Sequence, residues 1–314
     1  MTIIDLKTMR EASSPPASVV CIGNFDGVHI GHTALAEETI AKKLQLSNRY
    51  EGLASAACFF KIPPTDFFRH PPIPRLTTFE EKLSLFSALG LDYAFVIDFE
   101  EVGALSAEAF VNAILKETFH CVFAVCGFNF HFGKNASGDA AHLKSLMNGQ
   151  ASVIASVQAD GSTVSSSEIR GMISRGEMEK IPAFLGRPYA ITAEVLHGKA
   201  LGRTLGTPTI NQCFPENLAI PKRGIYVTRS VINGKTFPSV TNVGLRPSVN
   251  DGDKINCETH ILDFQGDLYE KTVTVQFLKY LRGEIKFENT EALSAQIQKD
   301  IQNTKAYYEE AQSL

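Results

Sequence analysis

The sequence predicts a chain of two domains, an α/β domain followed by an antiparallel β-barrel with a terminal helix. Up to residue 186, short apolar runs alternate with segments of helical spacing, a pattern typical of a parallel sheet covered on both faces. From residue 189 onward, runs rich in β-branched and aromatic residues follow one another without intervening helices. A length of 314 residues also favours two domains over one. We therefore predict domains at residues 1–186 and 187–314.

The first domain is predicted to be Rossmann-like and doubly wound, because parallel strands are joined by right-handed helical crossovers. Its apolar runs predict strands at residues 18–23, 53–60, 92–99, 121–127 and 152–158. Helical spacing predicts helices at residues 31–45, 78–90 and 106–115, followed by two short helices within 165–186. Thr78 precedes Glu81 by three residues, which is the spacing of a capping box, and Ser106 is suited to cap the third helix.

The second domain is predicted to be a small antiparallel barrel. Its strands are expected at residues 189–198, 224–234, 235–244, 255–264 and 271–281, with turns at Asn233-Gly234 and Asp251-Gly252. The chain closes with a helix at residues 290–312, in which Leu293, Ile297 and Ile301 recur at four-residue spacing. One face of this helix is therefore predicted to pack on the barrel.

Composition and charge exclude several classes of protein. Hydrophobic residues make up 44% of the chain and charged residues 20%, values typical of a folded globular protein. The net charge of −4 is unlike that of a general nucleic-acid binder, and no apolar run approaches the length of a membrane span or a secretory signal. The six cysteines include no Cys-x-x-Cys pair, which favours reduced cysteines in a cytoplasmic protein over a zinc site. The sequence assigns no oligomeric state.

The most informative motif is IGNFDGVHIGH at residues 22–32, which leaves the first strand and enters the first helix. Glycines let the backbone approach a ligand closely, and a helix N-terminus attracts phosphate. His29 and His32 can share one face of the helix entrance, where imidazoles donate hydrogen bonds to charge that develops in a transition state. The other candidate phosphate-binding residues here are Gly23, Asn24, Asp26, Gly27 and Gly31. The alternative is a glycine-rich turn with two incidental histidines.

A second motif, VSSSEIR at residues 164–170, places hydroxyls before a helix and Arg170 one turn into it. Hydroxyls and a guanidinium together can bind a phosphate group. Ser166 or Ser167 could equally serve only as the cap of that helix.

In the second domain, HGKALGRTLGTPTIN at residues 197–211 combines glycines with cations and can fold over phosphates. It is not a Walker motif, because the G-K-[ST] ending is missing. Thr209 and Asn211 face the same side of an extended segment and offer oxygen ligands suited to Mg²⁺. The alternative is an ordinary glycine-rich loop that leads into a polar turn. The candidate phosphate-binding residues are Gly198, Lys199, Gly202, Arg203 and Gly206.

These motifs carry a resemblance to known families. GNFDGVHIGH and VSSSEIR resemble the two signatures of the nucleotidyltransferase superfamily. Together with FNFHFGKNASGD (128–139), they are similar to the adenylyltransferase module of prokaryotic bifunctional riboflavin kinase/FAD synthetases. The glycine-rich motif, TNVGLRPS (241–248), CETHILDF (257–264) and LRGEIKF (281–287) resemble segments of the riboflavin kinase module. The resemblance spans nearly the whole chain.

The resemblance implies a role for each matched residue. His29 and His32 would contact the phosphates and the transition state, and Asn129 would lie beside the flavin or nucleotide phosphates. The ATP triphosphate would be bound by Ser166, Ser167 and Arg170. In the second domain, Thr209 and Asn211 would hold Mg²⁺ and the ATP phosphates, while Glu258 would be the general base for the riboflavin 5′-hydroxyl. The implied flavin-binding residues are Asn242, Arg246, Arg282 and Glu284.

The implied function is phosphorylation of riboflavin by ATP to FMN, followed by adenylylation of FMN by ATP to FAD and pyrophosphate, both with Mg²⁺. One segment departs from the pattern T-F-x-P-H-P of the family: this chain has FFKIPP (59–64), with Pro63 in place of the histidine and Lys61 before it. Pro63 leaves open a monofunctional riboflavin kinase with a weak or inactive adenylyltransferase module. The other alternative is a non-catalytic flavin-sensing protein, which the intact set of Thr209, Asn211 and Glu258 argues against.

Overall fold

The computed structural model describes residues 1–7, 15–197, 206–246 and 254–312. The chain divides into two compact units, Met1–Ser166 and Ser167–Leu314. The two short helices predicted within 165–186 therefore group mainly with the second unit. The domain boundary after residue 186 stays a prediction.

The first unit is built on a six-stranded sheet in which every pair of neighbouring strands is parallel. Its strands are β1 (Thr2–Asp5), β2 (Ser18–Ile22), β3 (Ala54–Phe60), β4 (Tyr93–Ile97), β5 (Cys121–Gly127) and β8 (Ala151–Ile154). They lie in the order β1-β4-β3-β2-β5-β8. Two small antiparallel ribbons pair β6 (His131–Phe132) with β7 (Gly138–Asp139), and β9 (Gln158–Ala159) with β10 (Ser162–Thr163). The edge strand β1 was not predicted.

The helices of this unit occupy the crossovers between strands. They are α1 (Ile30–Leu46), α2 (Pro64–Phe68), α3 (Phe79–Ala88), α4 (Phe99–Val102), α5 (Ala107–Ala109), which continues as a π-helix at Phe110–Thr118, and α6 (Ala140–Leu146). A 3₁₀ turn lies at Lys134–Ala136. The predicted capping box is confirmed, since Thr78 Oγ1 accepts from the Glu81 backbone N–H at 3.1 Å and Glu81 Oε2 accepts from the Thr78 N–H at 3.0 Å. Ser106 caps α5 as predicted.

Both faces of the parallel sheet are buried. Along β2, Val20 and Ile22 belong to one hydrophobic cluster, whereas Val19 and Cys21 belong to another. Successive residues of a strand point to opposite faces, so the two clusters lie on opposite sides of the sheet. This arrangement confirms the predicted doubly wound α/β unit.

The second unit contains a nearly closed antiparallel barrel. Its strands are β11 (Tyr189–Glu194), β12 (Ile210–Cys213), β13 (Gly224–Ile232), β14 (Lys235–Arg246), β15 (Lys254–Ile261) and β16 (Thr272–Arg282), in the order β11-β16-β13-β14-β15-β12. Gln212 Nε2 donates to the carbonyls of Ala193 (2.7 Å) and Val273 (2.8 Å), and Leu196 bridges to Asn211. These contacts bring the two edge strands β11 and β12 together. Three helices complete the unit, α7 (Ser166–Arg175), α8 (Ile181–Leu185) and α9 (Thr290–Gln312).

The predicted hairpin turn at Asn233-Gly234 is confirmed. Both residues have left-handed φ values, 50° and 77°, and Ile232 pairs with Lys235 on either side of them. Two consecutive left-handed residues form the type I′ turn that suits the twist of a two-residue hairpin. The other predicted turn, Asp251-Gly252, lies outside the described residues.

The interior of the barrel contains a ladder of hydroxyl groups that crosses three strands. Thr228 Oγ1 lies 2.7 Å from Thr241 Oγ1, which lies 2.9 Å from Thr259 Oγ1. Ser230 and Ser239 form a second pair at 2.7 Å. All five side chains are fully buried. Because a hydroxyl both donates and accepts, these pairs satisfy one another without water.

The terminal helix α9 packs one face on the barrel, as predicted. Ile301 is buried and the Tyr308 hydroxyl donates to the Thr228 carbonyl at 2.9 Å. A bidentate ion pair joins the helix to β16: Arg282 Nε and Nη2 donate to the two carboxylate oxygens of Asp300 at 3.1 and 2.6 Å. Asp300 is only 3% exposed, so this pair is a buried attachment of the helix.

Asp300→Ala is expected to lower the free energy of unfolding by about 3 kcal/mol, because it leaves the Arg282 guanidinium poorly solvated and without its carboxylate. Urea unfolding of the full chain measures the change. Glu309→Ala, at an exposed position of the same helix, is the matched control and should change stability by less than about 0.5 kcal/mol. A loss below about 1 kcal/mol for Asp300→Ala would place the pair among ordinary surface ion pairs.

Candidate active sites

The motif residues of the first unit follow two neighbouring strands of the sheet, β2 and β5. From β2 the chain runs outward through β3 and β4, and then returns to β5 and β8 on the other side. The strand order therefore reverses between β2 and β5, where open α/β sheets bind ligands at the carboxyl ends of their strands. The Gly23–His29 turn, residues 23–29, follows β2, and Asn129 follows β5. The fold thus places both at this edge.

The Gly23–His29 turn has a strained backbone. Gly27 has a φ of 83°, which suits glycine, but Phe25 and Val28 also have left-handed φ values of 51° and 41°. This conformation is costly for a non-glycine residue, and most of all for a β-branched one such as Val28. Phe25 is buried with its ring edge-on to those of Phe86 (5.0 Å between centroids) and His32 (5.2 Å). Packing of Phe25 in the core therefore helps to hold the turn.

His29 and His32 lie in contact at the start of α1. Their rings are stacked, with centroids 3.5 Å apart and an interplanar angle of 15°. His29 is the N-cap of the helix, and its Nδ1 accepts from the His32 backbone N–H at 3.3 Å. In a neutral His29 the proton therefore lies on Nε2. A Cβ at Gly31 would lie 3.2 Å from the His29 ring, so glycine gives the ring its space.

His32 is a neutral imidazole at neutral pH. Burial, followed by the nearby charges of His29 and Lys82, lowers the pKa of His32 well below its ordinary value. Its Nδ1 is buried and has no hydrogen-bond partner among the residues that the structure describes. A buried ring nitrogen of this kind is suited to make one hydrogen bond to a bound ligand.

One residue of the second motif contacts the first motif. Ser166, the last residue of the first unit, donates through Oγ to the Asp26 carbonyl at 2.9 Å. One turn along α7, Arg170 Nη2 donates to Ser167 Oγ at 3.2 Å. The structure therefore brings Ser166 to the predicted phosphate site and pairs the predicted cation with a predicted hydroxyl.

The segment that departs from the family pattern lies at the same edge of the sheet. It follows β3, the parallel neighbour of β2. Pro63 precedes α2 as its N-cap residue, and the Lys61 backbone N–H donates to the Ile97 carbonyl at 3.1 Å. The Lys61 side chain is exposed. Its use as a substitute positive charge stays a prediction.

In the second unit, three polar residues from three strands form one row. Asn211 of β12 pairs with Glu258 of β15, which in turn pairs with Asn242 of β14. Directly paired residues share a face of the sheet. Cys257 and Thr259, on either side of Glu258, are fully buried, so the row lies on the outer face of the barrel. The predicted general base therefore lies between two predicted ligand-binding side chains.

Gly244 lets two polar side chains pack closely against the backbone of β14 beside this row. A Cβ there would lie 2.7 Å from Glu284 Oε1 and 3.1 Å from Asn242 Nδ2. Asn256 Nδ2 donates to Glu258 Oε1 at 3.3 Å and so helps to orient the carboxylate. Asn242 Oδ1 is buried and, within the described ranges, has no hydrogen-bond partner. An amide oxygen of this kind is suited to accept one hydrogen bond from a bound ligand.

Two neighbouring contacts fix the surroundings of this site. His260 Nδ1 lies 2.8 Å from the Pro208 carbonyl, which holds the segment of Thr209 against β15.

Arg282 is paired with Asp300, and its predicted role in flavin binding stays a prediction. Gly206 has a left-handed φ of 70°. Gly198, Lys199, Gly202 and Arg203, together with the side chain of Arg246, lie outside the described residues.

Sequence reasoning assigned no role to three residues that contact these sites. Asn256 bonds to Glu258, Thr77 Oγ1 accepts from the Gly27 backbone N–H at 3.3 Å, and Lys82 Nζ donates to the Asn24 carbonyl at 2.8 Å. A signal existed for Lys82, which lies four residues before the buried Phe86 and therefore on the core side of α3. For Thr77 and Asn256, only the pairing of distant segments reveals the contact.

Comparisons with known proteins assign both halves of the chain. The family model described as FAD synthetase matches residues 11–168, and the one described as riboflavin kinase matches residues 185–308. A bifunctional riboflavin kinase/FMN adenylyltransferase from Pseudomonas fluorescens is 34% identical over 292 residues, which cover 92% of each chain. This chain belongs to the bifunctional riboflavin kinase/FMN adenylyltransferase family. It therefore carries a kinase domain and a nucleotidyltransferase domain in one enzyme.

A second relative has the same name, and one solved structure shares the fold of nearly the whole chain. The protein of that name from Listeria monocytogenes is 32% identical over 295 residues and also covers 92% of both chains. A crystal structure described as a macrolide-efflux protein from Streptococcus pneumoniae has the same fold, with a TM-score of 0.86, 26% identity and coverage of 97% of this chain and 99% of its own. In the part of the chain that the structure describes, no helix is both long and apolar enough to span a membrane.

Proposed function

We propose that this enzyme makes FMN in the barrel unit and converts it to FAD in the α/β unit. The observation that carries the proposal is that two separate clusters of polar residues lie in the two halves of the chain. One is the Gly23–His29 turn with its stacked histidines, and the other is the row of Asn211, Glu258 and Asn242. Each lies in the half of the chain that the corresponding family model matches.

In the kinase step, the Glu258 carboxylate accepts the proton of the riboflavin 5′-hydroxyl. The hydroxyl oxygen attacks the γ-phosphorus of ATP, the bond from that phosphorus to the bridging oxygen breaks, and ADP leaves. The Asn256 amide keeps the carboxylate in one orientation. The backbone pairing of Asn211 with Glu258 keeps phosphate binding and proton transfer close together.

Oxygen donors around Glu258 fit a magnesium ion. Mg²⁺ retains water and binds through one or two protein oxygens plus the substrate phosphates. The Thr209 hydroxyl and the Asn211 amide would supply such oxygens. Among the described residues, no group of three or more His, Cys, Asp or Glu could hold a metal ion. When bound, Mg²⁺ neutralises phosphate charge.

In the adenylylation step, a phosphate oxygen of FMN attacks the α-phosphorus of a second ATP, and pyrophosphate leaves. The negative charge that develops on the phosphates is stabilised by hydrogen bonds from His29 and His32 and by the positive end of α1. Ser166, Ser167 and Arg170 bind the triphosphate. No covalent intermediate with the enzyme is required.

We place the enzyme in the cytoplasm, acting on small molecules and not on nucleic acid. Five of the six cysteines are buried, and all six are unpaired, as expected in a reducing compartment. The net charge of −4 gives no general attraction to nucleic acid.

An end-point assay tests the function. The chain is incubated with riboflavin, ATP and Mg²⁺, and the flavins are separated by chromatography. We expect FMN first and FAD later. Accumulation of FMN without FAD would favour the monofunctional kinase that Pro63 suggests, and the absence of any flavin product would favour a flavin-sensing protein.

Asn256→Ala is expected to lower kcat of the kinase step about tenfold, with little change in KM for riboflavin, because it removes one hydrogen bond to the charged carboxylate. Steady-state kinetics with riboflavin measure both constants. Asn256→Ser, which keeps a donor near Glu258, should recover part of the rate. An unchanged kcat in the Ala variant would show that Asn256 does not orient the base.

A further inference from the structure

Lys82 is a buried lysine in the first turn of α3. It is 7% exposed, whereas lysines are almost never buried unless they are paired. Burial lowers the pKa of Lys82 to about 8. The lysine therefore carries its charge in an unfavourable environment at neutral pH. A cation in such a place requires specific partners.

The partners of Lys82 belong to the Gly23–His29 turn. Its ammonium donates to the Asn24 carbonyl at 2.8 Å and lies over the Phe59 ring, 4.9 Å from the centroid. Because the C=O and N–H of a trans peptide point in opposite directions, this hydrogen bond also fixes the direction of the Phe25 N–H. Lys82 thus acts on the backbone of the turn itself.

The segment at residues 76–82, which contains Lys82, makes two further hydrogen bonds to the turn. The Leu76 backbone N–H donates to Asp26 Oδ1 at 2.8 Å, and the Gly27 N–H donates to Thr77 Oγ1 at 3.3 Å. The bonded residues, Asp26 and Gly27, lie between the left-handed residues Phe25 and Val28. A strained backbone persists only where its surroundings determine it, and residues 76–82 provide that surrounding structure.

The charge of Lys82 also reaches the histidine pair. Its positive charge contributes to the lowered pKa of His32, which it therefore helps to keep neutral. The charged groups that act on the ammonium are Asp26, which favours the charged form, and Arg75, which opposes it. Arg75 is itself bound to Asp66 at 2.7 Å. His32, whose ring is stacked on that of His29, is a further titratable group that interacts with this ammonium.

We propose that Lys82 is a positioning residue for adenylyl transfer: its ammonium holds the Gly23–His29 turn in its strained form and places a fixed positive charge beside the histidines that face the phosphates. The inference rests on the proposed adenylylation activity. Loss of the proton from Lys82 removes the charge and weakens the hold on the turn. FAD synthesis should therefore decline at alkaline pH because Lys82 loses its proton.

Three variants of the full chain test the proposal, with kcat/KM for ATP in FAD formation measured at saturating FMN from about pH 6 to about pH 10. The wild type should lose activity with a midpoint near the pKa of about 8. Lys82→Met should be slower on the order of 10²-fold at neutral pH, because the turn is misplaced. Lys82→Arg, whose guanidinium stays charged, should recover much of the rate and shift the alkaline decline to higher pH.

Lys116→Met is the matched control. Lys116 Nζ likewise donates to a backbone carbonyl, that of Leu146 at 2.8 Å, but it lies near the end of the π-helix that leads into the amino end of β5, away from the phosphate site. Its pH profile should match that of the wild type. Thermal unfolding of each variant shows whether a loss of activity comes from a loss of folded protein. Recovery of activity in Lys82→Arg would show that the lysine charge, and not folding alone, is needed.

The proposal is overturned if Lys82→Met retains FAD formation within about threefold of wild type, or if Lys82→Arg shows the wild-type alkaline decline. It is also overturned if Lys82→Met and Lys82→Arg are both unfolded and the loss of FAD formation in each variant follows the loss of folded protein. If the wild type itself forms no FAD, the proposed adenylylation activity fails, an outcome distinct from a failure of Lys82.

Discussion

Glu258→Gln is expected to reduce FMN formation by at least about 100-fold, while FAD formation from supplied FMN continues at the wild-type rate. Glutamine has the same size and can still accept the hydrogen bond from Asn256, but it cannot take the proton of the riboflavin hydroxyl. The two reactions are followed separately, one with riboflavin and the other with FMN as the flavin substrate.

Glu194→Gln is the control for this change. Glu194 is an exposed glutamate at the end of β11 in the same unit, so the substitution alters charge equally without touching the row of Asn211, Glu258 and Asn242. Both reactions should be unaffected. A kcat for Glu258→Gln within about tenfold of wild type would show that another group removes the proton.

Replacing His29 and His32 together with Ala is expected to lower FAD formation about 10²- to 10³-fold, because two hydrogen bonds to the developing phosphate charge are lost. FMN formation belongs to the other unit and should persist. In the single variants, the losses should not add up to that of the double variant, since the stacked rings act together.

His29 is also the N-cap of α1, so its loss affects the helix as well as the phosphates. His29→Asn separates the two roles, because Asn is a preferred N-cap residue and keeps the start of the helix. Its FAD formation should remain low. Recovery to the wild-type rate in His29→Asn would mean that the imidazole serves only as a cap.

The fold was predictable wherever a local pattern determined the element. Continuous apolar runs marked the buried strands such as β3 and β5, and the Thr78/Glu81 capping box marked the start of α3 within one residue. The edge strand β1 was missed because a strand of four residues that is partly exposed has neither a long apolar run nor a clean alternation. The segment after Ser106 was predicted as a helix, but its π-helical pitch was not, since hydrogen-bond spacing leaves no mark in apolar periodicity.

The candidate sites were predictable where neighbours in sequence are neighbours in space. His29 and His32 follow this rule, being three apart at a helix start. The contact of Lys82 with Asn24 joins residues that are far apart in the chain, and the row that contains Glu258 depends on the register of three strands. The register of paired strands depends on the turns between them and on which face of the sheet is buried. A short sequence motif predicts neither of these.

The hydroxyl ladder inside the barrel ties catalysis to the folding of the sheet. A shift of β15 by one residue would turn Thr259 out of line with Thr241 and carry Glu258 to the opposite face. The same slip would therefore leave buried hydroxyls unsatisfied and remove the carboxylate from its neighbours on the outer face. A barrel with the wrong register is therefore both less stable and unable to phosphorylate riboflavin. The molecules that reach the stable fold are the molecules that carry the kinase site.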